Sequence, residues 1–259
     1  MGGGAFADGV IDVERDCDAF AVPPSVTEPA TLLFDAAQQQ RRVVFRTRKP
    51  VLTATECSNV VAICNEHAAR NNGWGTVRHS SVHTTDVAVE DIPPLRPWLH
   101  TLLETRLNPL LAACYPLLAD GTTCGDKGSR LRVHDAFIVR YDATKDMSLS
   151  LPAHADTSSM SFTVALNSYS SGGVGGTGGG GGGGAVRAFE GGGTWFRALD
   201  AVVDADVGQA VAFAGPLRHA GQLVRHRLST LNYQRPPPPR AHPAHAHTHT
   251  LGAAAFANC

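Results

Sequence analysis

From Arg130 to about Tyr233 the apolar residues recur at every second position, as in Phe137, Val139 and Tyr141 and again in Phe162, Val164 and Leu166. A strand turns successive side chains to opposite faces, so this spacing marks half-buried strands. Glycines and prolines separate the runs, and no helical pattern falls between them. Many strands without intervening helices must close into a barrel or stack as two sheets. Upstream the period is helical. Thr53-Ala54-Thr55-Glu56 is a capping box, and Val60, Val61, Ile63, Cys64 and His67 continue it into a helix of about 16 residues. Asn71-Asn72-Gly73 ends that helix. A second helix starts near Pro94, carrying Leu95, Trp98, Leu99, Leu102, Leu103, Leu107, Leu110 and Leu111, and Pro109 kinks or divides it. Arg42-Val43-Val44-Phe45 reads as a first strand. The expected class is α+β, with the helices packed against one face of a later sheet.

These patterns divide the chain. Residues 1–40 read as a poorly ordered N-terminal segment with at most a short helix over Thr31 to Gln40. Residues 41–234 read as one domain, with a helical lobe at about 41–129 and a strand-rich core at about 130–234. Inside the core, Gly172 to Gly184 holds eleven glycines in thirteen residues. A run that cannot bury side chains is expected to be a flexible loop, and an insertion between strands costs little closure entropy. With no Lys-Ser/Thr and no helix start after it, it is not read as a phosphate-binding loop. Residues 235–259 begin with prolines and carry His242, His245, His247 and His249. They read as a disordered tail whose histidines offer adventitious metal binding.

The chain's 259 residues suffice for one large domain with a sizeable core. A net charge of -1, with 17% charged residues and no long basic run, argues against an electrostatically driven nucleic-acid binder. The six cysteines are scattered without a Cys-x-x-Cys, which disfavours a disulfide framework or a structural zinc site. Met1 to Cys17 has acidic residues in place of an apolar run, and no stretch approaches the ~20 apolar residues of a membrane helix. The expectation is a cytoplasmic protein with no nucleic-acid or membrane partner. The sequence sets no oligomeric state.

Within the strand-rich part lies His154-Ala155-Asp156. In extended backbone the first and third side chains share a face. A further imidazole, His219 in Leu217-Arg218-His219-Ala220-Gly221, completes a set of two nitrogens and one carboxylate oxygen. Such a set leaves open coordination positions and suits non-haem Fe(II). The other histidines singled out, His79, His83, His134 and His226, read as surface or structural groups. Trp195 reads as core or cavity wall.

The order of motifs then matches a known family. Val139-Arg140-Tyr141-Asp142, His154-Ala155-Asp156, Ser161 to Asn167, Gly191-Gly192-Gly193-Thr194-Trp195-Phe196, and Val207 to Phe213 leading to His219-Ala220-Gly221 carry the match. Gly73-Trp74, Arg78-His79 and Thr84-Thr85-Asp86 extend it upstream. The span Val43 to Tyr233 resembles the Fe(II)- and 2-oxoglutarate-dependent dioxygenases, in particular their prolyl 4-hydroxylase-like branch. The resemblance implies a double-stranded β-helix, or jelly roll, with Fe(II) on His154, Asp156 and His219. It also implies an oxidoreductase that uses O2 and the cosubstrate 2-oxoglutarate, with ascorbate to rescue oxidised iron. The reaction would yield succinate and CO2 and hydroxylate a C–H bond of a peptide, commonly a peptidyl proline, or of a small molecule. The cosubstrate's far carboxylate would pair with Arg227, with Arg225 as competitor, because the family usually has about two more residues between histidine and basic residue. Tyr141 would present its hydroxyl to the cosubstrate. Two departures stand out: Leu151 where many relatives have a tyrosine, and Gly193 where relatives often have a glutamate. The rival readings are a non-catalytic jelly-roll binding or scaffold module and a cupin-type metal enzyme that needs no 2-oxoglutarate.

Overall fold

A sheet of seven strands and a smaller sheet of four face one another, and three helices bear on the larger. The computed structural model describes residues 11–26, 41–76, 84–115, 124–125, 128–129, 133–141, 149–167, 190–225 and 253–258. In chain order the elements are helix α1 (Val13–Asp16), strands β1 (Cys17–Ala21) and β2 (Arg42–Thr47), helix α2 (Ala54–Arg70), β3 (Asp86–Ala88), α3 (Leu95–Leu102) and α4 (Asn108–Cys114). Twelve strands follow: β4 (Cys124–Gly125), β5 (Gly128–Ser129), β6 (Ala136–Tyr141), β7 (Leu151–His154), β8 (Met160–Ala165), β9 (Glu190–Gly191), β10 (Thr194–Phe196), β11 (Ala201–Val203), β12 (Ala210–Ala214), β13 (His219–Gly221), β14 (Val224–Arg225) and β15 (Ala253–Asn258). The larger sheet runs β1-β2-β12-β8-β15-β6-β3, and the smaller runs β11-β10-β13-β7. Phe196 of β10 meets Phe213 of β12 edge to face with centroids 5.1 Å apart, so the sheets share one core. The architecture is α+β, and its two facing, mainly antiparallel sheets are consistent with a jelly roll.

Helix α2 starts where the capping box places it. The Glu56 N–H donates to the Thr53 hydroxyl, and the Thr53 N–H donates back to the Glu56 carboxylate at 2.7 Å. Arg106 then grips the same carboxylate at 2.8 and 3.0 Å and donates to the Val51 carbonyl at 2.7 Å. Arg106 sits in a π-helical turn, Leu103–Leu107, within the second helical run. Pro109 follows near the start of α4, and the backbone stays in the αR region from one segment to the next, so the run is continuous with its hydrogen-bond pattern changed over the π turn. The faces Cys57, Val60 and Cys64 on α2 and Leu95, Leu102, Leu107 and Leu110 on the later helices are buried against the sheet.

Two expectations about the ends need correction. Residues 1–40 are not wholly without order. Asp12 caps α1, and β1 pairs antiparallel with β2 from Cys17↔Thr47 to Ala21↔Arg42. Asp18 on β1 holds Arg46 at 2.6 Å and Arg48 at 2.8 Å, and Cys17 and Val22 are buried. The segment's apolar residues are few but spaced for an edge strand, a signal weaker than its prolines. Likewise 235–259 is not all tail: Ala253–Asn258 pairs parallel with both β6 and β8. That stretch, Ala-Ala-Ala-Phe-Ala-Asn, contains neither Pro nor His, so the composition of the segment before it does not extend to it. The strands β2 and β3, placed with the helical lobe, join the larger sheet as well. The glycine run at 172–184, the helix expected over residues 31–40 and the prolines and histidines of 235–252 lie outside the described residues. No helix among the described residues is long and apolar enough to cross a membrane.

One glycine is required by geometry. Gly208 has φ +78°, and a Cβ there would lie 1.9 Å from the Leu52 carbonyl oxygen. Its own carbonyl accepts from Val51 and Leu52, and its N–H donates to Ala165. Gly208→Ala is expected to destabilise by at least the ~1–3 kcal/mol of a strained backbone conformation, read as a lower urea midpoint at unchanged slope.

Acid stability follows from three carboxylates. A hydrogen bond from Arg15 holds Asp16 down to about 2, and Arg48 and Arg46 lower Asp18. At Glu56 burial acts to raise the pKa, but the bonds from Arg106 and Thr53 together outweigh it and the net shift is downward. Each is depressed in the folded state, so the unfolded chain takes up protons first as pH falls. Their contribution is present above about pH 4.5 and is lost as pH falls toward about 2. The urea midpoint should drop across this window, and Arg106→Met should flatten the part of the drop that belongs to Glu56.

Candidate metal centre

Pairing between β7 and β13 sets His154 directly opposite His219, and the two rings lie 4.4 Å apart. The strand ends at His154, so Asp156 does not belong to it, contrary to the simple picture of one strand carrying both. Asp156 is placed by its loop: its N–H donates to the Gly215 carbonyl at 2.8 Å, and Gly215 in turn donates to Ser159 at 3.1 Å. A Cβ at position 215 would lie 2.0 Å from the Ser158 carbonyl oxygen, so only glycine lets these two segments meet. Ala155 is exposed while Asp156 is buried, and the shared face of His154 and Asp156 survives the end of the strand.

The ligand atoms of His154, Asp156 and His219 all lie within 4.8 Å of one another. Hydrogen bonds fix which atoms these are. His154 Nδ1 is 2.8 Å from the Pro152 carbonyl oxygen, and His219 Nδ1 is 2.8 Å from that of Leu217. A carbonyl only accepts, so each Nδ1 carries the proton, and in the neutral ring Nε2 presents a lone pair. Burial, with His154 beside it, pushes the pKa of His219 down to about 4, so this ring is neutral near pH 7. The Ser161 hydroxyl donates to Asp156 Oδ2. That leaves Oδ1 facing His154 Nε2 at 3.4 Å and His219 Nε2 at 3.8 Å.

With each Nδ1 turned to a carbonyl, the two Nε2 atoms and Asp156 Oδ1 converge on one point. A cation is the chemical complement of such an arrangement, and two imidazoles with one carboxylate suit a divalent first-row metal. The His154, Asp156 and His219 side chains are 11%, 6% and 8% exposed, so an ion reaches them from the surface without opening the core.

A cleft enclosing about 590 Å³, open solvent included, lies between the sheets. Ser161 pairs with Phe213 and His219 with Phe196. Two residues further along the same four strands, Thr163 pairs with Val211 and Gly221 with Thr194, and all four line the cavity. Two strand residues span ~7 Å, so the cleft's near end lies one such step along the strand from His219. Tyr141 lines it as well, with its hydroxyl 3.2 Å from where a Cβ on Gly221 would sit. Burial raises the pKa of that phenol, so it stays protonated.

Other expected residues fall elsewhere. Arg225 lies in β14 opposite Glu190, next to the cavity-lining Val224, and Arg227 lies outside the described residues. Trp195 stands between the buried Thr194 and Phe196 and takes the opposite face of the smaller sheet, so it is neither buried core nor cavity wall. His134 is exposed, as expected of a surface group. Sequence reasoning missed Ser161 and Gly215, which orient Asp156. The clue to Ser161 was a hydroxyl at the inward start of β8, and nothing marked Gly215.

No protein-family profile matches the chain. Among curated proteins it is 28% identical over 139 residues to the human protein named 2-oxoglutarate and iron-dependent oxygenase domain-containing protein 2. The match covers 54% of this chain and 35% of that protein. The chain thus has a distant relative named for an iron- and 2-oxoglutarate-dependent oxygenase domain, and it carries a His-Asp-His cluster of the kind that holds such a metal.

Proposed function

We propose that this protein is an Fe(II)- and 2-oxoglutarate-dependent oxygenase with a double-stranded β-helix core that hydroxylates a C–H bond. The observation that carries the reading is the convergence of His154 Nε2, His219 Nε2 and Asp156 Oδ1 in a sheet that also lines a cleft. The human relative's name adds the cosubstrate. Iron bound there would supply O2 activation coupled to oxidation of 2-oxoglutarate to succinate and CO2. The chain's part is to hold the three ligands with other positions open and to keep both imidazoles in one tautomer through Pro152 and Leu217. It also lines the cosubstrate's cavity with strand residues that keep water away. Tyr141, whose hydroxyl borders the same cleft from β6, would donate to the cosubstrate. A peptidyl proline is the first substrate to try, with ascorbate in the assay. A cupin-type centre would bring a further histidine, and among the described residues none joins the cluster.

Anaerobic addition of Fe(II) and then 2-oxoglutarate should produce a metal-to-ligand charge-transfer band in the visible. Folded protein that gives no band would overturn the proposal. Alanine at His154, Asp156 or His219 should abolish stoichiometric iron binding and 2-oxoglutarate turnover. Wild-type turnover in Asp156→Ala without an added rescuing anion would sink the ligand assignment.

The far carboxylate is assigned to Arg227. Removing one partner of a partly desolvated pair costs ~2–5 kcal/mol, so Arg227→Ala should weaken 2-oxoglutarate binding about thirtyfold or more. Arg225→Ala should do little. The reverse result would move the role to Arg225, and no effect from either would remove the assignment of a basic partner in this strand.

A further inference from the structure

The ligands of the cluster are aimed by different means. Each imidazole is turned by a backbone carbonyl two residues before it, whereas Asp156 is turned by side chains. Its Oδ1 faces His154 Nε2 at 3.4 Å and His219 Nε2 at 3.8 Å, while its Oδ2 accepts from the Ser161 hydroxyl. Ser161 Oγ is in turn 2.8 Å from Ser158 Oγ. A serine hydroxyl has one proton, and an ionised carboxylate only accepts. The Ser161 proton is therefore donated to Asp156, and the bond between the serines runs from Ser158 to Ser161. The two hydroxyls form a chain of donors that ends on Oδ2.

This chain is enclosed by the fold. Ser161 is buried at the second position of β8, opposite Phe213 of β12. Ser158 is half-buried and stands against Gly215, where a Cβ would lie 2.0 Å from the Ser158 carbonyl oxygen and 2.7 Å from its Oγ. The Gly215 carbonyl also accepts from the Asp156 N–H at 2.8 Å, and its N–H donates to the Ser159 carbonyl at 3.1 Å. A side chain at position 215 would thus displace both the first hydroxyl of the chain and the backbone that carries the carboxylate. A hydroxyl that accepts one hydrogen bond donates a stronger one, so Ser158 reinforces Ser161.

A carboxylate can give a metal ion one oxygen or both. Giving both would take up a coordination position that the oxygenase reading needs for the cosubstrate or for O2. Rotation of the Asp156 carboxylate would bring Oδ2 toward the ion, and the bond from Ser161 opposes that rotation. We infer, resting on the oxygenase reading, that Ser158 and Ser161 are positioning residues. Their relay holds Oδ2 back, so that Asp156 offers the metal Oδ1 alone and the other positions stay open.

The test reads the carboxylate directly. An infrared difference spectrum of Fe(II)-loaded minus metal-free protein, taken without O2 and with isotope-labelled aspartate carboxyls, picks out the carboxylate that changes on loading. A carboxylate bound through one oxygen has its two stretches further apart than the free ion, and one bound through both has them closer together. The wild type should show the wide splitting. Ser161→Ala should narrow it while iron still binds. The same variant should weaken 2-oxoglutarate at least about tenfold, the size usual for loss of a partner that orients a metal ligand. Ser161→Thr, which keeps the hydroxyl, should restore the wide splitting, and Ser158→Ala should show a mixture of the two. The Ser158→Ala arm touches only a half-buried hydroxyl and stands even if Ser161→Ala does not fold. A merely structural role predicts lower stability with the wide splitting kept. That result in either alanine variant, or a narrow splitting in the wild type, would overturn the inference while leaving the oxygenase reading in place. Wild-type protein that loads no iron would remove both.

Discussion

The antiparallel register of β7 against β13 is the constraint on which the site depends. It sets His154 opposite His219, and a slip of one residue on either strand would turn one imidazole to the far side of the sheet. Each ring is then fixed by a carbonyl two residues before it in the chain, from Pro152 and from Leu217. The orienting acceptors are thus local backbone atoms that move with the ligands they orient. Asp156 is attached differently, through Gly215 and Ser161, and so depends on the loop at 156–159 and on β8. Two ligands are held by sheet register and the third by a close backbone contact.

Much of this was legible in residue order. The capping box at Thr53 and the strands around Phe137, Phe162 and Val211 rest on local spacing, and they appear where that spacing puts them, whereas the irregularity expected at Pro109 falls just before it, over Leu103–Leu107. The three ligand candidates were legible because two of them are neighbours in sequence and the third returns in a strand. What was not legible depends on partners distant in the chain. β1 is a strand because β2 offers it an edge and Asp18 finds Arg46 and Arg48; the spacing of the few apolar residues in 17–21 is too weak a signal by itself. β15 follows a stretch of Pro and His whose composition masks it. Gly215 and Gly193 show why they are glycine only when Ser158 and Asp204 stand against them.

The cavity wall and the metal cluster share a strategy. At the cluster, hydrogen bonds turn the Nδ1 protons away from the space between the ligands; beside the cleft, the positive-φ Gly193 leaves side-chain room that Asp204 occupies. Gly191, Gly192 and Gly193 all adopt φ near +80°, a conformation that other residues adopt with strain. Sequence alone reads such a triplet as a loop. In the structure Gly192 and Gly193 line the cleft, and Gly193 leaves the room that the Asp204 carboxylate takes.

The strand order of the larger sheet has a kinetic consequence. β2 lies near the start of the chain, yet it pairs with β12, Val44 opposite Phe213. The β1–β2 hairpin can close early, but its inner edge stays bare until more than a hundred and fifty further residues have been made and folded. Pairings of such separation slow folding and leave strand edges exposed in the meantime. During synthesis the N-terminal hairpin is a waiting template, and a chain stalled before β12 presents an open, apolar edge to whatever else is nearby.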